Sequence, residues 1–169
     1  MTQSTKINRK VNCKCGNVEL ETTGEPIVSA ACYCDDCQQA VAKLERLPNA
    51  PAVLDKAGGT EFLLFRKDRM KCTEGEQYLS DHKLKAESPT RRVVASCCNS
   101  FMFLDFQKGH WFSICRSRFE GNTPPPQMRI QTRFKPEGVD IPQDAPVYSR
   151  FPVGFIAKLL LARAAMLFS

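Results

Sequence analysis

Three clusters of cysteine residues constrain this chain more than any other feature of its sequence. Seven of the nine cysteines lie in these clusters. The clusters are Cys13-Lys14-Cys15-Gly16, Cys32-Tyr33-Cys34-Asp35-Asp36-Cys37 and Cys97-Cys98. An odd number of cysteines cannot all pair within one chain. Any fold of this chain therefore has to place thiols close together and leave at least one of them outside an intrachain disulfide.

The start of the chain bears on the state of these thiols. Residues 1–6 are polar and lead into Val11 with no long apolar run, so the pattern of a secretory signal peptide is missing. We therefore expect a cytoplasmic protein. Thiols stay reduced in the cytoplasm, where clustered cysteines more often bind metal or do chemistry than form disulfides.

The spacing of the thiols predicts two zinc sites. Cys32, Cys34 and Cys37 offer three sulfurs within six residues, which would leave the fourth position of a tetrahedral zinc open to water or substrate. The other four clustered cysteines are expected to form a closed structural site. They are Cys13, Cys15, Cys97 and Cys98.

The adjacent pair is the difficult part of the closed site. The side chains of Cys97 and Cys98 diverge if the backbone is extended, so either a bent backbone lets both reach one metal or only one is a ligand. Cys72 and Cys115 are isolated and are expected to be small buried side chains. Neither His82 nor His110 lies in a cysteine cluster, so we expect surface or packed histidines rather than ligands.

The remaining sequence predicts a mainly β fold. Short runs rich in β-branched and aromatic residues recur with glycines between them, which is typical of antiparallel sheets. The runs are residues 17–22, 26–32, 60–65, 91–95, 100–106 and 110–119. One short helix is expected over residues 35–47, begun by Asp35 and Asp36 and stopped by Pro48, with Cys37 in its first turn. The N-terminus of this helix is expected to favour the thiolate form at Cys37.

The chain of 169 residues has the length of one domain with two appendages. We expect a zinc-binding domain over residues 1–120, a proline-rich irregular arm over 121–150 and a C-terminal apolar segment over 151–169, which is helical from about Val153. That last segment is too short and carries too many charges for a transmembrane span, because Lys158 and Arg163 interrupt it. It is expected to pack on the domain, on a second subunit as a homodimer, or on a membrane surface.

The cysteine clusters, taken in order, resemble those of the glutathione-dependent formaldehyde-activating enzyme family, whose relatives include centromere protein V. The resemblance covers about residues 10–118 and is most specific at the Cys-x-Cys-x-x-Cys cluster. It implies a zinc-binding β-tent of two antiparallel sheets. It also implies a structural zinc on Cys13, Cys15 and Cys98, and a catalytic zinc on the central triple of Cys32, Cys34 and Cys37.

The chain departs from that family at one ligand. The family's late Cys-x-x-Cys would begin at Ala95, and the nearest thiol, Cys97, lies two residues further on. Either Cys97 replaces the ligand after a local rearrangement, or the structural site has lost a ligand or its metal.

The resemblance implies a carbon-sulfur lyase that joins glutathione, or a similar small thiol, to an aldehyde such as formaldehyde. In this hypothesis a thiol at the open zinc position becomes a thiolate and attacks the aldehyde carbon. Arg116 and Arg118 are candidates to hold substrate carboxylates through bidentate contacts.

Two other functions compete with this one. The first is a non-catalytic, zinc-stabilised binding module, which would have a closed or occluded triple. The second is binding to an anionic surface, because the stretch from Lys108 to Lys135 has six basic residues against Glu120 alone. Nothing in the sequence resembles a nucleic-acid-binding module, so no specific nucleic acid is expected.

Overall fold

The computed structural model describes residues 7–168, which form ten strands and two helices. The strands are β1 (Asn8–Asn12), β2 (Glu19–Thr23), β3 (Val28–Cys32), β4 (Thr60–Arg66), β5 (Met70–Glu74), β6 (Leu79–His82), β7 (Thr90–Ala95), β8 (Ser100–Phe106), β9 (Trp111–Cys115) and β10 (Met128–Ile130). The helices are α1 (Asp35–Leu44) and α2 (Val153–Met166). The predicted mainly β architecture, with one internal and one C-terminal helix, is confirmed.

The strands form two sheets. A three-stranded antiparallel sheet has the order β1-β2-β5. A seven-stranded sheet has the order β10-β3-β4-β9-β8-β7-β6, and its pairs are antiparallel except for β10, which runs parallel to β3. The larger sheet carries the three-stranded sheet on one face and the two helices on the other.

Strand β4 illustrates why the larger sheet is covered on both faces. Phe62 and Leu64 pack into the core beneath the helices. Leu63 and Phe65 point the opposite way, into the core shared with the three-stranded sheet. Because successive side chains of a strand alternate between faces, a nearly continuous apolar run is required where both faces are buried.

Helix α1 begins and ends at slightly different residues from those expected. Cys34, not Asp35 or Asp36, is the N-cap, and its sulfur accepts a hydrogen bond from the backbone amide of Cys37 at 3.3 Å. Leu44 is the last helical residue, and the amide of Leu47 bonds to the carbonyl of Leu44 in a tighter turn. Cys37 lies in the first helical turn, as predicted.

The proline-rich arm is not wholly irregular. Strand β10 lies within it and extends the larger sheet beyond β3. The buried guanidinium of Arg129 on β10 donates to both carboxylate oxygens of Asp144, at 2.8 and 2.9 Å, and to the hydroxyl of Tyr33. These contacts fix the arm to the end of β3, next to the cysteine triple.

Helix α2 begins at Val153, as expected, and contacts the domain along a narrow stripe. Two residues of this helix, Phe155 and Leu159, are buried against the domain. The Nε2 atom of His110 lies 2.7 Å from the carbonyl oxygen of Leu159. Val153, Leu160 and Leu161 are exposed. None of the helices within residues 7–168 is both long and apolar enough to cross a membrane.

Candidate metal centres

The structure brings four cysteines together where the two sheets meet. The sulfur of Cys13 lies 3.6 Å from that of Cys15 and 3.8 Å from that of Cys97, and the sulfurs of Cys15 and Cys97 are 3.4 Å apart. Cys98 completes the group, in which all four sulfurs lie within 4.8 Å of one another. Cys13 and Cys15 come from the turn between β1 and β2, and the other two from the turn between β7 and β8.

These separations fit one metal ion better than disulfides. A disulfide needs a bond of about 2.05 Å, and all nine cysteines are free. Four sulfurs around a tetrahedral zinc, each about 2.3 Å from the ion, lie about 3.8 Å from one another. Four thiolates also suit zinc, which prefers soft and borderline ligands. The donor set therefore fits a closed structural zinc site.

Two tight turns place the four sulfurs. Gly16 has a φ of +82°, which closes the turn that carries Cys13 and Cys15. In the second turn the amide of Cys98 bonds to the carbonyl of Ala95 at 3.2 Å, and Asn99 takes a φ of +54°. This bend answers the question raised by the adjacent cysteines, because a bent backbone lets both Cys97 and Cys98 reach the group.

The same turn explains the departure at Ala95. Ala95 is fully buried at the end of β7, where it packs in the core between the sheets. Cys97 lies one tight turn further on and reaches the other sulfurs from there. The hydroxyl of Ser100 lies 3.1 Å from the Cys98 sulfur and accepts a hydrogen bond from the amide of Lys14 at 2.9 Å, so it links the two turns.

The second group consists of Cys32, Cys34 and Cys37, whose sulfurs also lie within 4.8 Å of one another. Cys32 ends β3, and Cys34 follows on the same side of the extended chain. Cys37 returns to them one helical turn later. The group therefore depends on the junction between a strand and a helix, as the spacing predicts.

The thiols of this group have unequal acidities. Hydrogen bonds from the side chains of Cys32 and Cys37 lower the pKa of Cys34 far below its ordinary value, helped by the amide of Cys37 and the charge of Arg92. The bonds to Cys34 and Cys37, together with burial, raise the pKa of Cys32. For Cys37, the bond to Cys32 lowers the pKa, but the bond to Cys34 and burial raise it more.

These pKa shifts correct one expectation and add to the metal assignment. The helix N-terminus was expected to favour the thiolate form at Cys37, but the pKa of Cys37 is raised, and the pKa that is lowered is that of Cys34, chiefly by hydrogen bonds from the Cys32 and Cys37 side chains. The directions of these pKa shifts favour a single thiolate, at Cys34, within the group. Removing the remaining two protons requires a cation, because unpaired charges are costly to bury. The three thiols therefore fit a zinc ion with a fourth position left over.

A cavity of about 240 Å³ opens beside the triple on the helix-bearing face of the larger sheet. Its walls include all three cysteines, together with side chains from β4, β7, β8, β9 and α2. Most of the lining is apolar or aromatic, and it includes Trp111 and Phe155. A ligand at a fourth metal position would therefore lie in a largely apolar pocket.

Arg92 is the one basic residue among the side chains that line this cavity. It is 3% exposed and lies on β7. Its terminal nitrogen Nη2 donates to the backbone carbonyl of Asp36 at 3.4 Å, and its Nε atom has no hydrogen-bond partner among residues 7–168. No local sequence pattern marks Arg92 as a site residue, because its position beside the triple follows from the pairing of strands that are distant in sequence.

The two arginines chosen from the sequence lie elsewhere. Arg116 forms an ion pair with Glu61 at 2.8 Å and donates to the carbonyls of Thr123 and Pro124, so it anchors the arm. Arg118 donates to the Ser100 hydroxyl at 3.3 Å, near the four-cysteine group. Neither lines the cavity beside the triple.

The remaining cysteines and histidines are placed outside both groups. Cys115 is completely buried in the core beneath the helices, and Cys72 is half-buried on β5. His110 holds α2, and His82 lies on the edge strand β6, with Nε2 3.4 Å from the hydroxyl of Ser80.

The chain matches a known protein family over most of its length. Residues 5–117 match the model of a family of unknown function, DUF6151. The chain belongs to this family. The DUF6151 match contains all three cysteine clusters and Arg92, whereas the arm from residue 121 and α2 lie beyond it. Phe151 and Phe155, which line the cavity, are therefore outside the matched region.

Comparison with individual proteins gives little more. No curated protein matches this DUF6151 member. Among solved structures, the chain is similar to a structural-genomics crystal structure of a Rhodobacter sphaeroides protein, with 15% sequence identity and a TM-score of 0.49. That similarity covers 68% of this chain and 91% of the other.

Proposed function

We propose that this protein is a zinc-dependent enzyme of the carbon-sulfur lyase type, which forms or cleaves the adduct of a small thiol and an aldehyde. The four-cysteine group holds a structural zinc, and Cys32, Cys34 and Cys37 hold a catalytic one. Glutathione and formaldehyde are the substrates suggested by the family that the cysteine spacing resembles.

One observation carries the proposal: the two cysteine groups differ in number and setting. The four-cysteine group has the full set of tetrahedral ligands and lies where two sheets meet. The triple is one ligand short, and its three cysteines form part of the wall of a cavity. A site with three protein ligands and an adjacent cavity is the arrangement of catalytic zinc.

The chemistry requires no redox partner. A bound zinc would supply the positive charge that favours the thiolate form of a small thiol at neutral pH. The sulfur lone pair forms the new carbon-sulfur bond as the carbonyl π electrons move to oxygen, and that oxygen takes up the proton that the thiol lost. Apolar cavity walls exclude water, which strengthens the interaction of a thiolate with positive charge around it.

The first test is a count of zinc per chain by elemental analysis of protein purified under reducing conditions. We expect two zinc ions in the wild type and one in Cys34→Ser. Cys72→Ser is the matched control, because Cys72 belongs to neither group, and it should keep both ions. Two ions remaining in Cys34→Ser would contradict the assignment of the triple.

The second test is formation of the adduct from a small thiol and formaldehyde, followed by NMR on the zinc-loaded protein. The wild type and Cys72→Ser should accelerate the reaction above its uncatalysed rate, and Cys34→Ser should not. Two zinc ions with no acceleration would favour the rival function, a zinc-stabilised binding module.

The homodimer expected through the C-terminal helix stays a prediction. Val153, Leu160 and Leu161 present exposed apolar surface on α2, which a second copy of the helix would cover. The molar mass from light scattering should then be twice that of the chain, and Leu161→Glu should return it to the monomer value.

A further inference from the structure

We propose that Arg92 and the aromatic walls of the cavity bind a substrate that carries one carboxylate on a small apolar body. This inference rests on the proposed function, because it specifies which small thiol the cysteine triple would receive.

Arg92 is a buried cation without a carboxylate partner among residues 7–168. A guanidinium has five N–H donors, and within the described chain this side chain makes one hydrogen bond, at 3.4 Å to the Asp36 carbonyl. No hydrogen bond joins it to the sulfurs of the triple within the described chain. The charge of Arg92 favours the thiolate at Cys34, but no acceptor among the described residues meets its buried Nε atom. Buried donors are normally paired, so the state of Arg92 is typical of a site that receives an incoming anion.

The neighbouring residue on β7 shows the ordinary alternative. Arg91 points to the other face of the strand and forms ion pairs with Asp81 at 2.7 Å and with Asp105 at 2.8 Å. Both arginines lie on the same strand, but of the two only Arg92 lines the cavity, and it forms no ion pair with residues 7–168, although the exposed Asp36 also lies in the cavity wall. A planar guanidinium matches the two oxygens of a carboxylate, which can accept two parallel hydrogen bonds.

The walls around Arg92 favour an apolar body for the same ligand. They include Phe62, Leu104, Phe106, Trp111, Phe151 and Phe155. Burying a peptide with several charged and amide groups against such walls would leave those groups without hydrogen-bond partners. At about 240 Å³ the cavity is also smaller than the roughly 300–1,000 Å³ of pockets for drug-sized ligands. A small thiol acid with a single charge therefore suits these walls better than glutathione, the charged peptide that the cysteine spacing suggests.

Binding can be measured without thiol, aldehyde or turnover. Trp111 is the only tryptophan of the chain and lines the cavity, so its fluorescence reports occupancy. The probes are cyclohexanecarboxylate and its neutral analogue cyclohexylmethanol, added to the zinc-loaded protein. We expect the carboxylate to bind about tenfold more tightly, since hydrogen bonds to charged groups are the stronger ones.

Two variants test whether Arg92 is the cause. In Arg92→Gln the two probes should bind with affinities within about twofold of each other. Arg92→Lys keeps the charge but loses the paired donors, so it should retain a weaker preference for the carboxylate. Arg91→Gln is the matched control and should keep the full preference. Thermal melting of each variant establishes that it is folded.

Two outcomes overturn the carboxylate site: equal binding of the two probes by the wild type, and a full preference that survives in folded Arg92→Gln. If equal binding by the wild type is accompanied by loss of zinc from Arg92→Gln, Arg92 serves only to balance the thiolates. A carboxylate preference in a protein that forms no adduct supports the site and overturns the carbon-sulfur chemistry instead.

Discussion

At the scale of single residues, the four-cysteine group depends on where the chain can bend. Ala95 is buried in the regular part of β7, so a thiol at that position would lie in the core between the sheets. Cys97 lies beyond the last paired residue of the strand, in a turn closed by the amide of Cys98. A shift of two residues along the chain thus moves the ligand from the strand into the turn.

Loss of Cys97 is therefore expected to cost more stability than loss of Cys34. Cys13 and Cys97 are 84 positions apart, so a metal between them closes a long loop, whereas the triple spans only residues 32–37. Loop-closure entropy makes the longer cross-link worth about 2 kcal/mol more. Thermal melting of the zinc-loaded proteins should show Cys97→Ser melting roughly 5 °C or more below Cys34→Ser. Equal melting temperatures would contradict a cross-linking role.

At the scale of elements, the four strands that were not predicted from the sequence are all edge strands. They are β1, β5, β6 and β10. Each lies at the edge of its sheet and is short, and β1 and β5 carry charged side chains. Edge strands need little apolar surface, so they lack the β-branched and aromatic runs that make central strands predictable. Their pairing is decided by neighbours distant in sequence.

The same distinction applies to the candidate site. The triple was predictable because its three thiols lie within six residues, at a junction whose geometry is local. The set of four was predictable as a group, but how Cys97 and Cys98 both take part follows from the turn between two strands. Arg92 could not be chosen over Arg116 or Arg118, because its burial and its missing partner follow only from the packing of the sheet.

Helix α2 is expected to be held by a few residues only. Phe155 is 5% exposed and Val153 is 86% exposed, although both are apolar residues of the same helix. Phe155→Ala should reduce the free energy of unfolding by about 3 kcal/mol, because it leaves a void beside the cavity. Val153→Ala, the matched control, should change it by less than about 0.5 kcal/mol. Chemical denaturation of both variants measures the difference, and similar values would mean that α2 packs differently.

At the scale of the whole molecule, the two cysteine groups lie against different cores. The four-cysteine group packs with the core between the two sheets, and Cys32 packs with the core beneath the helices. The larger sheet separates them. A metal in the first group would fasten the three-stranded sheet to the larger one, whereas a metal in the second would order the start of α1 beside the cavity.

Hydrogen exchange after zinc removal should therefore change in two separate regions. A chelator that strips both ions is expected to speed amide exchange in β1 and β2, which lose their fastening, and in the first turn of α1. The amides of β4 and β9 should stay protected, because these strands are central in the larger sheet and buried on both faces. Cys97→Ser should reproduce only the first change and Cys34→Ser only the second. If amide exchange became faster throughout the chain in either variant, one metal would stabilise the whole fold and the two sites would not be independent.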